Sequence, residues 1–298
     1  MVEIKNIVFV SKSLNLLKCI LCFINHLLPL RLKFANESFV ALVDKKKTAL
    51  ITLDKDSKSY TRFKITKLIL EEYSSSVACQ LVNYVISRYR AQGANSFYVV
   101  VDEKQTDLLN IFQNEMKFRA CGFEYLYKIN SINTRQHISL RPFKKENVSE
   151  ICEFYNGNIN SFNKFLFSRQ KYQFNNDFDK YIFYNDDETK MLGYFEVATK
   201  NSFDYYINFS IDFAYNIYII DALRFIYSKL KHKHKSFNLY IKIKDYFLNS
   251  KELMAILKEN NVEFVSKCQI LAKDYYREVK ENNLFKNAKI IFNDPTTA

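Results

Sequence analysis

The chain has 298 residues, of which 48% are hydrophobic, so it can build two ordinary domains or one large one. Its net charge is +12, from 44 Lys and Arg against 32 Asp and Glu, which favours anionic partners such as phosphate-bearing ligands, nucleic acid or an acidic membrane face. Because Gly (4), Pro (3) and Trp (0) are scarce while Phe (27) and Tyr (21) abound, the composition is typical of an AT-rich genome, and neither the lysines nor the aromatics alone indicate a nucleic-acid site.

The six cysteines are spread thinly along the chain, which favours reduced thiols and a cytoplasmic location. Leu14–Leu30 is apolar but is interrupted by Lys18, Asn25 and His26, so it predicts an amphipathic helix packed on a sheet and not a membrane span or a secretory signal. Cys19, Cys22 and His26 have metal-ligand spacing, but a structural zinc needs four ligands and no second pair exists. We therefore predict core cysteines and no metal.

The first 62 residues predict strands around one helix. Residues 2–10 alternate as a strand, and Ser11–Ser13 cap a helix that runs to about His26. Phe39–Val43 and Ala49–Leu53 form a hairpin. Arg62–Leu70 is the next strand.

The stretch Phe63–Phe123 carries the clearest pattern, which is strand, turn, helix, strand, helix, strand. After the polar turn Glu71–Ser76, apolar residues recur at helical spacing on one face: Val77, Ala78, Leu81, Val82, Val85 and Tyr89. Gly93 follows the last of them, where a left-handed cap is expected. Ser96–Val101 predicts a buried strand and about Thr106–Lys117 a second helix.

Beyond a polar linker at Ser131–Gln136, the second half predicts a similar layout. The predicted strands are at Ile138–Pro142, Tyr181–Tyr184, Leu192–Thr199, Tyr205–Ile211 and Phe237–Ile243, with a final hairpin at Val262–Tyr276. The predicted helices are at Glu146–Tyr155, about Ile217–Lys231 and about Lys251–Glu259.

The layout repeats with an offset of about 140 residues, because Ser87-Arg88 matches Ser228-Lys229 and Ser96-Phe97 matches Ser236-Phe237. That offset is right for a duplicated domain. We predict domains at residues 1–133 and 138–298.

The stretch Phe63–Phe123 resembles the acyl-CoA-binding half of the GNAT superfamily, the acyl-CoA-dependent N-acyltransferases. The family motif Q/R-x-x-G-x-G/A between strand and helix falls on Tyr73–Ala78, with Ser76 in place of the middle glycine, and Gly122-Phe123 matches the family's G-F pair before a late strand. The resemblance implies two tandem GNAT-like α/β domains, each a mixed twisted sheet flanked by helices. The second half matches in layout only, because Asn261-Val262 replaces the G-F pair and the loop Ala214–Ile219 contains no glycine.

In the resembling family the acyl-CoA pyrophosphate binds to backbone N–H groups at the turn and helix start, and the thioester carbonyl to the strand before them. Unpaired N–H donors and the positive end of the helix dipole favour such an anion. The resemblance places this site at Leu68, Ile69 and Leu70 of the strand and at Ser74, Ser75, Ser76, Val77 and Ala78 of the turn and helix. The alternative is that the serines only cap the helix.

Catalysis in the family asks for a base, often a strand carboxylate, and for an acid, commonly a Tyr four residues before the G of G-F. The strand Phe63–Leu70 has no carboxylate, so Glu71 at its end is the candidate base, with an exposed turn as the alternative. The acid position holds Phe118 here and Leu257 in the second half, and Tyr73 is the remaining candidate.

The resemblance therefore implies an N-acyltransferase that acts on an unknown amine, with acetyl-CoA or another acyl-CoA as the donor. One alternative is a catalytically inactive GNAT-like binding or interaction protein. A further alternative is a nucleic-acid-binding protein that uses the basic run Lys229–Lys235, although a cluster of cations at a helix carboxyl end is also favoured by the dipole alone.

Overall fold

The computed structural model describes residues 2–7, 36–55, 61–71, 74–130, 138–174, 178–199 and 203–275. The strands in this part of the chain are β1 (Val2–Ile7), β2 (Asn36–Val43), β3 (Lys46–Lys55), β4 (Arg62–Leu70), β5 (Ser96–Asp102), β6 (Arg119–Ile129), β7 (Arg141–Pro142), β8 (Asp179–Tyr184), β9 (Met191–Thr199), β10 (Asp204–Ile211), β11 (Asn238–Lys244) and β12 (Glu263–Asp274).

The α-helices in the same part of the chain are α1 (Ser75–Ala91), α2 (Thr106–Asn110), α3 (Val148–Gly157), α4 (Lys164–Phe167), α5 (Ile219–Lys233) and α6 (Ser250–Glu259). A π-helical turn, Ile111–Glu115, extends α2, and a 3₁₀ turn, Phe213–Tyr218, precedes α5. The helix predicted through His26 and the linker at 131–136 lie outside the described residues.

Helix α1 forms where its apolar spacing predicted it. Ala78, Leu81, Val85 and Tyr89 are buried against the sheet, as an amphipathic face requires. The helix ends before Gly93, whose φ of 98° is the left-handed conformation that glycine adopts without a steric cost. The predicted strands at Arg62–Leu70 and Ser96–Val101 and the predicted hairpin of β2 and β3 are confirmed.

The strands form one continuous mixed sheet in the order β1-β2-β3-β4-β5-β12-β6-β11-β10-β9-β8-β7. Two neighbouring pairs are parallel: β4 with β5, which starts at Arg62 and Ser96, and β10 with β11, which starts at Asp204 and Asn238. Asp204 and Asn238 stand 142 positions after Arg62 and Ser96, respectively. The structure therefore confirms the predicted duplication.

The two halves exchange their last strands. Strand β12, from the second half, lies between β5 and β6, and β6, from the first half, lies between β12 and β11. Asp274 of β12 holds this arrangement, because its carboxylate accepts hydrogen bonds from Ser96 of β5 and Arg119 of β6, both at 2.7 Å. The predicted hairpin at Val262–Tyr276 is therefore wrong, since this stretch is one long strand between two partners.

Helices α1, α5 and α6 cover one face of the sheet and bury two cores, one in each half. Phe63 and Ile65 of β4 face α1 in the first core, and Ile241 and Ile243 of β11 lie in the second. On the opposite face, α3 packs on the second half through Ile151 and Tyr155. The fold class is thus the predicted one, with helices on both faces of a mixed sheet.

The glycine predicted to precede the late strand lies inside it. Gly122 is the fourth residue of β6, and the left-handed positions that end the two corresponding helices are Lys117 (φ 57°) and Asn261 (φ 55°). Gly122 serves another purpose: its φ is 149°, and a Cβ built there would lie 2.5 Å from Oδ1 of Asp245. The close approach of the loop after β11 therefore requires glycine here.

Replacing Gly122 by Ala should lower the free energy of unfolding by about 2 kcal/mol, because the new methyl group meets Asp245 and the backbone conformation becomes strained. Chemical denaturation of the full chain measures this. Gly157→Ala is the matched control, since nothing lies within 4 Å of its added Cβ. Equal stability of the two variants would contradict this role for Gly122.

The strand exchange predicts that residues 1–133 do not fold alone, because β5 and β6 would both lose β12. We expect the isolated fragment to be unfolded or aggregated by circular dichroism and gel filtration, and co-expression with residues 138–298 to restore a one-to-one complex. A monomeric first-half fragment with a cooperative melting transition would contradict this.

Candidate functional site

Strands β4 and β5 run side by side and then part. Their parallel pairing ends at Ile65 and Val99, after which β4 pairs with β3 alone as far as Leu70. A register shift opposite Thr52 and Leu53 leaves Thr66 as an extra residue in β4, and such a bulge bends a strand. The predicted residues Leu68, Ile69 and Leu70 thus lie on the part of β4 that no longer pairs with β5, beside the parting of the two strands, called here the first cleft. Ile69 is 50% exposed, whereas Leu68 and Leu70 pack against the first core.

The amino end of α1 lies directly beyond this opening. Ser74 caps the helix: its hydroxyl accepts from the N–H of Val77 at 3.4 Å and its carbonyl from the N–H of Ala78 at 3.0 Å. The N–H groups of Ser75 and Ser76 precede this first intrahelical bond and so have no partner within the helix. An exposed Ser76 and the absence of acidic residues in the first turn leave this helix end suited to an anion.

Of the two candidate catalytic residues, the structure describes Glu71 alone. Glu71 is exposed directly after β4, and its N–H donates to the carbonyl of Thr48 at 2.9 Å. Tyr73 lies outside the described residues. Glu71 is therefore held by its backbone at the end of β4, and both residues stay predictions.

The position expected to supply an acid holds no hydroxyl group. Phe118 is buried and packs edge-on against Phe112, with ring centroids 5.2 Å apart. Counting four residues back from Lys117, where the helix ends, gives Gln113, which donates to Gln269 at 3.0 Å. In the second half, Leu257 is fully buried.

A thiol and a carboxylate join the two helices that flank the first cleft. Cys79 on α1 donates to Glu115 after α2 at 3.1 Å. Burial, together with the hydrogen bond and negative charge of Glu115, raises the pKa of Cys79 to about 12. Cys79 is therefore a thiol at neutral pH and not a nucleophile.

The corresponding loop of the second half carries a negative charge. Asp212 caps the turn before α5, accepting from the N–H of Ala214 at 3.1 Å, and forms an ion pair with Lys190 at 2.9 Å. The carboxylate thus occupies a backbone N–H group at this helix end that would otherwise be open to a phosphate group. The turn is also kinked at Tyr215, so its N–H groups do not form a regular helix end.

The second pair of parting strands is tied together at its mouth. Asn249, after β11, donates to the carbonyl of Ile211 at the end of β10 at 2.8 Å and to Asn216 at 2.6 Å. On the opposite face, Glu196 of β9 is buried and binds Arg169 at 2.9 Å, with the Arg169 guanidinium 4.7 Å from the ring centre of Tyr155. In the second half, Asn249 thus bridges the end of β10 and the loop after β11, and Arg169 and Glu196 form an ion pair on the other face.

A cavity of about 770 Å³, called here the central groove, crosses the sheet face opposite α1 and α5. Lys64 and Lys242 point to this face, because their neighbours in the strands, Phe63 and Ile65 or Ile241 and Ile243, point into the helical cores. The residues that line the groove come from both halves and include Asp54 of β3, Lys64 and Thr66 of β4, Val100 of β5, Glu124 of β6, Tyr206 of β10 and Lys242 of β11.

The groove contains a close ion pair between the halves, which the sequence analysis missed. Lys242 Nζ lies 2.8 Å from Glu124 Oε1, and the two side chains are 19% and 13% exposed. Burial alone would raise the pKa of Glu124, but the charges of Lys242, Lys244 and Lys64 outweigh it and lower the pKa. The alternation in β6 and β11 predicts which face each residue occupies, but their pairing depends on the strand exchange.

The remaining sequence features lie elsewhere. The run Lys229–Lys235 falls at the carboxyl end of α5, where Lys233 pairs with Asp179 at 3.0 Å. Cys19, Cys22 and His26 lie outside the described residues, and the residues that are described contain no group of three His, Cys, Asp or Glu side chains able to hold a metal. Within the same ranges, no helix is long and apolar enough to cross a membrane.

Parallel strands that part beside a helix end, present twice in one sheet, define the tandem GNAT fold, and comparison with solved structures confirms it. A GCN5-related N-acetyltransferase from Sphaerobacter thermophilus is similar with a TM-score of 0.54 and 9% identity over 80% of each chain. A tandem GNAT protein from the clavulanic acid biosynthesis pathway matches with a TM-score of 0.54 and 10% identity, covering 80% of this chain and 83% of that one. Neither protein-family models nor curated proteins match the sequence.

Because the second helix end carries Asp212 and its cleft is bridged by Asn249, we expect acetyl-CoA to bind the full chain with a stoichiometry of one. Isothermal titration calorimetry measures the stoichiometry. Asp212→Asn should leave the value at one, since Asn249 still ties the strand ends together. A stoichiometry of two in the unmodified chain would contradict this difference between the halves.

Proposed function

We propose that the protein is an acyl-CoA-dependent N-acyltransferase, acting on an amine in the cytoplasm, with acetyl-CoA as the donor to test first. The observation that carries this is the first cleft, which opens after Ile65 and Val99 directly before the helix end at Ser75 and Ser76, whose N–H groups have no partner within the helix. The GNAT fold supports the proposed activity. The free thiols of the described cysteines support the proposed cytoplasmic location.

The residues of the first half fit acyl-CoA in two places. The N–H groups of Ser75 and Ser76 at the positive end of α1 would hold the pyrophosphate, and their hydroxyls add donors. The open edge of β4 at Leu68–Leu70 would place backbone N–H groups against the acyl carbonyl, since this edge has no strand partner beyond Ile65 in the described ranges. When bound, acyl-CoA supplies the activated acyl group.

Few side chains near the first cleft are suited to proton transfer. Glu71 is the proposed base, held at the end of β4 by its bond to Thr48, and Tyr73 is the proposed acid. Since Phe118 and Gln113 carry no acidic hydroxyl, the CoA thiolate that leaves would otherwise take its proton from water.

The same observations favour a second candidate, a protein that binds acyl-CoA or a partner and has lost the reaction. Phe118 and Gln113 at the acid position and the carboxylate-free strand β4 argue for it. The two candidates differ in turnover: both allow acetyl-CoA to bind, and the transferase alone releases free CoA when an amine is supplied.

Ser76→Asp should weaken acetyl-CoA binding at least tenfold, about 1.4 kcal/mol, because it sets a negative charge where the pyrophosphate is expected. The same change should not lower the melting temperature, since an acidic residue in the first turn stabilises a helix. Calorimetry and thermal shift of the full chain measure both.

Ser87→Asp is the matched control, an exposed serine on the same helix far from its amino end. We expect it to leave the affinity for acetyl-CoA unchanged. If unmodified protein fails to bind acetyl-CoA at saturating concentration, or if both variants bind like the unmodified chain, the proposed cofactor site is wrong.

A further inference from the structure

The central groove is built from both halves of the chain. Thr66 and Val100 belong to β4 and β5 at the point where these strands part, so the groove opens onto the first cleft from the face opposite α1. Glu124 and Lys242 come from the exchanged strand β6 and from β11 of the second half. A ligand in the groove therefore touches the cleft and the ion pair together.

Glu124 and Lys242 can bind a ligand while they stay paired with each other. Within the described part of the chain, the 2.8 Å contact is the only hydrogen bond that either side chain makes. A carboxylate accepts about four hydrogen bonds and an ammonium donates three, so most of this capacity is unused. Both side chains keep some exposure, at 13% and 19%, and low exposure strengthens their interaction with a charged ligand.

Two opposite charges side by side are complementary to a ligand that carries the same two charges in reverse. An α-amino acid head group has an ammonium beside a carboxylate, and it can give the first to Glu124 and the second to Lys242. The charges of Lys64 and Lys244 also act on Glu124, and Asp54 lines the same groove, so charges of both signs face a bound ligand.

The distance from the ion pair to the first cleft determines how long the rest of the ligand must be. Strands β5 and β6 are separated only by β12, and through β12 Glu124 aligns with Asp102, two residues beyond Val100. Val100 and Glu124 are therefore two strand spacings and two residues apart, about 12 Å. A head group bound at Glu124 and Lys242 leaves its own α-amine far from the cleft. A side chain with a four-carbon stem and a terminal amine extends back towards Thr66 and Val100.

We propose that the central groove binds a diamino acid such as lysine, with its head group on Glu124 and Lys242 and its side-chain amine at the first cleft. The assignment of this amine as the acceptor rests on the proposed function. The binding itself does not, because it is measured without acyl-CoA.

Three probes that share the terminal amine and differ in the head group test the proposal: L-lysine, cadaverine, which lacks the carboxylate, and 6-aminohexanoate, which lacks the α-ammonium. With the full chain, thermal shift and calorimetry should detect L-lysine binding at least tenfold tighter than either analogue. Failure to bind L-lysine, or equal binding of all three probes, would overturn the proposal.

The variants separate binding from folding. Lys242→Met and Glu124→Gln should each weaken L-lysine binding at least tenfold and leave acetyl-CoA binding unchanged. Because removal of one partner of a poorly exposed ion pair destabilises a fold, Glu124→Leu combined with Lys242→Met replaces the pair by apolar side chains and should fold while losing L-lysine. Lys233→Met, which breaks the exposed pair with Asp179, is the control and should bind like the unmodified chain.

The result also distinguishes this site from the donor site. If acetyl-CoA binds and L-lysine does not, the groove assignment is wrong and the transferase proposal stands. If L-lysine binds and acetyl-CoA does not, the groove assignment stands and the transferase proposal is wrong.

Discussion

The antiparallel pairing of β6 with β12 at the centre of the sheet is the constraint on which the rest of the structure depends. It joins the halves into one twelve-stranded sheet, in which the last strand of each half lies beside a strand of the other half. Asp274 fixes it by bonding to Ser96 and Arg119 on the two neighbouring strands. Gly122, on β6, allows the loop carrying Asp245 to approach closely enough for this pairing and the β6–β11 pairing to coexist.

Duplication gave the chain two parting strand pairs, and the two have different chemistry. The first ends beside serines whose N–H groups have no partner within the helix, whereas the second ends beside Asp212 and is bridged by Asn249. The second half also contributes to the cavity beside the first pair of strands. Through Lys242 it supplies a charge to the central groove, which the exchanged strand brings next to Glu124.

Local patterns in the sequence predicted local structure well. The apolar spacing of α1, the cap at Ser74 and the strand at Arg62–Leu70 are set by neighbours a few residues away, so they could be read directly. The strand exchange could not, because alternation predicts a strand and its faces but not its partner. The predicted hairpin at Val262–Tyr276 failed for this reason.

The errors at the site have the same origin. Gly122 looked like the glycine of a G-F pair, but its need for glycine arises from Asp245, more than a hundred residues away, while Lys117 adopts the left-handed conformation at the helix end. Glu124 and Lys242 belong to no motif and meet only in the folded sheet. The serine-rich turn, by contrast, could be located from its resemblance to a known loop.

Hydrogen–deuterium exchange of the full chain with and without acetyl-CoA tests the central claim most directly, which is that one of two duplicated clefts binds the donor. Our account predicts slower exchange at residues 66–70 and 74–78 when acetyl-CoA is present, and no change at residues 212–219. Protection at 212–219, or no protection at either loop under saturating acetyl-CoA, would contradict it.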